Sequence, residues 1–297
     1  VSLTVAGAGS KEDLSIQAAT NGTVSVGLKA GSARNTSVTA SGNADLALIG
    51  SMSVAGSFSV SSTGSLTTAA VTAQDIDLYS AKNLTTNGAL NGKNGVTLNT
   101  AGSLVNNGAI TSSASVSMKA AQNLTVVGAV KGKQIDITST DSNILVRGAI
   151  TGTGSVNLKA ANGSISLSGD TKGKGTVQGA LVDVWAGNGI TAQMAVNATT
   201  GNLSIVSNAG DIAVNGAVSA AKGIASIKAQ GGSINTTGAV SGGLHVDIQG
   251  KADVVVSGAI KGKQIDITST DSNVLVKGAI TGTGAVSLKA ANGSISL

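Results

Sequence analysis

Gly-Ala followed by Leu, Ile or Val falls at Gly88, Gly108, Gly128 and Gly148, each mark 20 residues after the last. The series resumes at Gly216, Gly238, Gly258 and Gly278, spaced 22, 20 and 20. Between the marks lies an apolar–polar–apolar triplet, as in Val96-Thr97-Leu98, Val116-Ser117-Met118, Ile135-Asp136-Ile137 and Val156-Asn157-Leu158. A third extended piece opens on Asn: Asn83-Leu84, Asn123-Leu124, Asn143-Ile144, Asn273-Val274. Alternation with period two is a strand signal, and no segment holds a helical period. Strands this short cannot bury a face alone. If each unit makes one turn of a coil, every strand pairs in parallel with its equivalent in the next turn, and the stacked turns bury a continuous core. The expected fold is therefore all-β: a right-handed parallel β-helix, or β-solenoid, with about 20 residues per coil and three short strands per coil.

This arrangement predicts which side chains line up. Val96, Val116 and Ile135 form one inward column and Leu98, Met118 and Ile137 another, while Thr97, Ser117 and Asp136 face water. Ala89, Ala109, Ala129 and Ala149 stack beside a corner that admits only a small side chain, and the preceding Gly takes positive φ there. Asn at the opposite corner donates its amide to the Asn one coil away. Roughly fifteen coils at ~4.8 Å per strand spacing make a rod on the order of 70 Å long. The whole chain, 1–297, reads as one elongated segment, with looser repeats over 1–80, regular coils over 81–167 and 203–297, and an irregular coil with a surface loop over 168–202. Residues 129–167 and 259–297 differ at only five of thirty-nine positions, as expected if a rod lengthens by copying coils.

Composition agrees with a helix-free core of aliphatic side chains. There is one Trp, one Tyr and one Phe, so bulk must come from Val, Ile, Leu and Ala. Glu12 is the only glutamate, and Gly, Ser, Thr and Asn abound, which disfavours helices. Low charge beside 41% hydrophobic residues argues against disorder. No apolar run approaches the ~20 residues of a membrane helix, so no membrane insertion is expected. Without cysteine there are neither disulfides nor thiolate metal sites, which also suits a chain threaded unfolded through a pore.

Repeats of the type AxNLxxxGAIxxxxxVxLxA, best seen from Ala101 in AGSLVNNGAITSSASVSMKAAQNLTVVGAV, resemble the shaft repeats of filamentous haemagglutinin-like exoproteins. These are the large secreted partners of two-partner secretion systems, including contact-dependent inhibition proteins. The resemblance covers 81–167 and 203–297 well and the remainder loosely. It implies secretion through an outer-membrane transporter partner, a filament on the surface of a Gram-negative bacterium, and adhesion or presentation of a distal effector. That family's secretion domain carries Asn-Pro motifs; this chain has no proline, so it reads as an internal piece of shaft.

Residues with chemistry are few. His245 in LHVDIQ is the only histidine and has no Cys or acidic cluster near it in sequence. Neither a nucleophile elbow nor a phosphate-binding loop occurs. No catalytic residue, cofactor or metal is expected. Asp247 and Asp266 stack in the outward column Ser226, Asp247, Asp266, Ser287, where like charges need screening by water or a bridging cation. Paired carboxylates on one face are what a β-helical polysaccharide lyase or hydrolase would use, and this is the alternative to a purely structural role. Lys-Gly-Lys corners at Lys131/Lys133, Lys172/Lys174 and Lys261/Lys263 keep strand edges soluble. Lys131, Lys133, Lys261 and Lys263 are also the candidates for a salt-sensitive glycan contact with sulfated or sialylated chains. A net charge of +5 without stacking aromatics argues against nucleic acid. The expected function is that of a structural shaft segment contributing to adhesion to host cells, other bacteria or glycans.

Overall fold

The computed structural model describes residues 2–6, 13–29, 33–169 and 175–297. Every element among them is a β-strand, and every strand pairing is parallel. The chain divides into two compact units, residues 1–140 and 141–297. Each is a parallel β-solenoid with about 20 residues per coil.

In the first unit one face is a ladder of Ser2–Ala6, Thr23–Lys29, Asp45–Ile49, Leu66–Thr68, Leu84–Thr86, Leu104–Asn106 and Leu124–Val126, each beside its equivalent in the next coil. The other faces pair Val96 with Val116 and then Ile135, and Leu98 with Met118 and then Ile137. All six are buried, and Thr97, Ser117 and Asp136 form the column between them. The strand register is the one that the triplets predict. In the second unit the same ladder runs from Val156 through Val182, Leu203, Ala225, Val246 and Ile265 to Val286. The looser stretches also coil. Residues 1–80 supply paired strands, and the region over 168–202 holds Thr176–Gly179, Leu181–Ala186, Ile190–Ala192 and Ala195–Ala198 where the triplet rule finds only Val182-Asp183-Val184. Lys172 and Lys174 lie outside the described residues.

Two local expectations are corrected. The corner glycines are not there for positive φ, which among the described glycines is confined to Gly42, Gly50, Gly169 and Gly175. They are there because the backbones touch: a Cβ on Gly108 would sit 1.9 Å from the carbonyl oxygen of Gly88, and one on Gly128 would sit 1.9 Å from that of Gly108. The crowding belongs to Gly more than to the alanine after it, since Ala109 is exposed and Ala89, Ala129 and Ala149 are half-buried. At the Asn corner the side chain mostly accepts rather than donates. The backbone N–H of Ser57 donates to Asn35 Oδ1 at 3.0 Å, that of Ser103 to Asn83 Oδ1 at 3.0 Å, and that of Ser164 to Asn143 Oδ1 at 2.8 Å. An amide ladder does occur at the other corner, where Asn107 Nδ2 donates to Asn87 Oδ1 at 3.0 Å.

Buried hydroxyls close the long strands. Ser62 Oγ donates to the carbonyl of Ala44 at 2.8 Å, Ser80 Oγ to that of Gly64 at 2.8 Å, and Ser269 Oγ to that of Ala252 at 2.7 Å. Each satisfies a corner carbonyl that lies outside the strand ladder.

Candidate functional site

The second unit contains one corner where charge, a backbone irregularity and concavity coincide. It is built by strands Val240–Gly250 and Ile260–Ser269. Gly242 lies opposite Gly262 and His245 opposite Gln264, so Gly243 and Leu244 together face the single residue Lys263. This is a β-bulge, a device that re-aims side chains. Here it leaves Leu244 54% exposed on an otherwise alternating strand. Bare backbone is needed at the turn: a Cβ on Gly242 would fall 2.0 Å from the carbonyl oxygen of His245, and one on Gly243 would fall 2.4 Å from that of Ala221.

The outward column runs Ser226, Asp247, Asp266, Ser287, as the sequence predicts. The two carboxylates do not share one cation. Asp247 Oδ2 lies 2.8 Å from Lys228 Nζ, and Asp266 Oδ2 lies 2.8 Å from His245 Nε2. Gln264 Nε2 also donates to Asp266 Oδ2 at 2.8 Å. Because a carboxylate accepts, it is Nε2 of His245 that donates to Asp266, and a neutral ring in that tautomer would offer Nδ1 as an acceptor. The side chains of His245 and Asp266 are 24% and 32% exposed, so this pair is only partly screened by water.

Two clefts open beside this network. One, of about 360 Å³, is lined by Ser241, Gly242, Lys261, Lys263 and Thr283 among others. The second, of about 430 Å³, is lined by Ile224, Leu244, His245, Lys263 and Gln264 with Gly284 and Ala285. Lys263 borders both. Of the four lysines singled out from sequence, Lys261 and Lys263 therefore converge on one concavity, and neither has an ion-pair partner among the described residues. Lys131 and Lys133 lie in the first unit, both exposed, with Lys131 opposite Thr111.

Sequence reasoning paired Asp247 with Asp266 but missed Lys228, Gln264 and the link to His245. A signal was present: Gly238 to Val246 is eight residues, whereas Gly258 to Ile265 is seven. That one-residue excess is the bulge. The Lys228 contact is diagonal, since Lys228 lies opposite Gln249 rather than Asp247, and column logic alone does not reach it. Elsewhere, Lys159 Nζ sits 5.3 Å from the ring centroid of Trp185 on the outer face, a cation–π contact.

Chemically, the corner offers two ammonium groups without an ion-pair partner among the described residues, the apolar Ile224 and Leu244, and the hydrogen-bonded His245 and Gln264. No family model, curated protein or solved structure matches the chain.

Proposed function

We propose that the chain is a structural shaft segment of a secreted bacterial surface filament of the filamentous haemagglutinin-like kind. In this reading it crosses the outer membrane through a transporter partner and contributes to adhesion to cells or glycans. The observation that supports it is the coil-on-coil register within each unit: every coil presents the same inward columns and the same paired edges to the next, so coils can be added without new design. The resemblance of the repeat to shaft repeats supports the cellular setting. The shaft reading assigns no reaction to the chain. Antibodies raised against residues 1–297 should label intact producing bacteria, and external protease should remove the label. Signal found only after lysis would sink surface display.

The second reading, a carbohydrate-active β-helix enzyme, draws on Asp247 and Asp266 with His245 at one corner. Release of new reducing ends or unsaturated ends from acidic polysaccharides, abolished by Asp266→Asn, would decide for it.

A further inference from the structure

The bulged corner has a ligand chemistry of its own. Lys261 and Lys263 border a cleft floored largely by glycine and alanine backbone, with the hydroxyl-bearing Ser241 and Thr283 at its edge. An anionic group fits there, because both ammonium groups lack an ion-pair partner among the described residues. Beside Lys263 the second cleft is lined by the column Ile224, His245, Gln264 and by the exposed Leu244. Apolar side chains interleaved with hydrogen-bonding ones suit a ring with a C–H face and a hydroxyl edge. No Phe, Tyr or Trp side chain borders either cleft, which disfavours a stacked base.

The charge balance narrows the anion. Lys222, beside Gly243, together with Lys228, Lys261 and Lys263 contributes four positive charges against the two negative ones of Asp247 and Asp266, so the corner favours an anion. A densely sulfated chain would bring several anions against those two carboxylates. A sugar with one carboxylate per ring meets Lys261 and Lys263 while bringing the fewest anions against those carboxylates.

We propose that this corner binds a carboxylated oligosaccharide of the hexuronate type, its carboxylate between Lys261 and Lys263 and its ring against Leu244. Gln264 and His245 meet the hydroxyl edge, with His245 Nδ1 as the acceptor. The bulge is the specificity element, since it swings Leu244 outward and sets His245 opposite Gln264. The assignment rests on the adhesive part of the shaft reading and not on surface display, so the antibody experiment and the binding experiment fail independently.

The test is titration calorimetry, with ligand-observed NMR, of the intact chain against tetragalacturonate, maltotetraose and a heparin tetrasaccharide. Tetragalacturonate should bind in the range of about 1 mM, as expected of a shallow site, and maltotetraose should bind at least about tenfold more weakly. Lys261→Ser with Lys263→Ser should weaken tetragalacturonate about tenfold or more. Leu244→Ser should weaken it several-fold. Lys131→Ser with Lys133→Ser, changed in the same local sequence on another coil, should leave it untouched. Unchanged far-UV circular dichroism and melting temperature would certify that each variant folds. The proposal is overturned if tetragalacturonate fails to bind the parent chain, or if both double-lysine variants bind it equally. It also falls if heparin binds more tightly and loses affinity equally in both variants.

Discussion

Residues Lys131–Ser139 and Lys261–Ser269 are identical in sequence and alternate inward alike, but the first copy is split at Lys133 into Val130–Gly132 and Gln134–Ser139 where the second is one strand, Ile260–Ser269. Their buried residues behave alike: Ile135, Ile137, Ile265 and Ile267 are all fully buried. Their outward residues meet different neighbours. Gln134 lies opposite Ser115 and Asp136 opposite Ser117, whereas Gln264 lies opposite His245 and Asp266 opposite Asp247. A repeat thus carries its half of the core with it, but it acquires a polar site only from the coil it lands beside. Farther along the same duplication the core also proves to be a shared property. Val156 and Ile165 are at most 1% exposed, while Val286 and Ile295, at the same places in the second copy, are each 46% exposed. Val156 is covered by the next coil, through Val182.

The comparison is broken most forcefully from inside. Ile135→Asp and Ile265→Asp each place a carboxylate in a dry column and should each cost on the order of 3 kcal/mol or more. Chemical denaturation should show equal losses; a large inequality would mean that the two copies do not share one register. A smaller effect separates burial from sequence. Val156→Ala should cost about 2 kcal/mol through the cavity it leaves. Val286→Ala, the same substitution in the second copy, should stay within ~0.5 kcal/mol. Equal costs would show that Val286 is covered in solution.

Weaker still is the coupling of His245 with Asp266 in the second copy. A double-mutant cycle with His245→Ala and Asp266→Asn should give an interaction of about 0.5–1 kcal/mol, discounted for partial exposure. Additivity of the two single changes would reduce the contact to proximity.

The smallest effect is in acid. Asp253 stands where the first copy has Asn123. The hydroxyl of Ser272, followed by the backbone and side-chain N–H groups of Asn273, holds its carboxyl below the usual aspartate range. A depressed folded value means that the stabilisation is present above the ordinary aspartate range and is lost as the pH falls through it and below. Asp253→Asn should flatten the acid limb of the melting temperature slightly and make this corner resemble its counterpart. An unchanged acid limb would show that the hydrogen bonds do not distinguish the two protonation states.

Much of the fold was legible because the physics of a solenoid is written locally. The triplet Val116-Ser117-Met118 states which residues point inward, and the 20-residue spacing states what lies next to them. Glycine was legible as a marker but not in its reason: that a Cβ on Gly108 would fall 1.9 Å from the carbonyl oxygen of Gly88 leaves no trace in either local sequence. The buried hydroxyls of Ser80 and Ser269 were not legible either, since a polar residue at a strand end looks the same whether it meets water or a corner carbonyl. At the candidate site, sequence named Lys261, Lys263, Asp247 and Asp266 but could not assemble them. Convergence depended on the extra residue at Gly243–Leu244 and on a diagonal contact from Lys228, and both are properties of pairs of coils.

The parallel register within each unit has a mechanical consequence. Hydrogen bonds between coils run along the direction in which coils stack, so tension applied along that direction loads them in series and not side by side. Such a ladder opens by peeling, one coil after another, without a single shearing event. Each step would free about 20 residues, or roughly 70 Å of contour at ~3.5 Å per residue. A unit built this way would act as a spooled tether, yielding length in equal instalments and rewinding coil by coil once the load is removed.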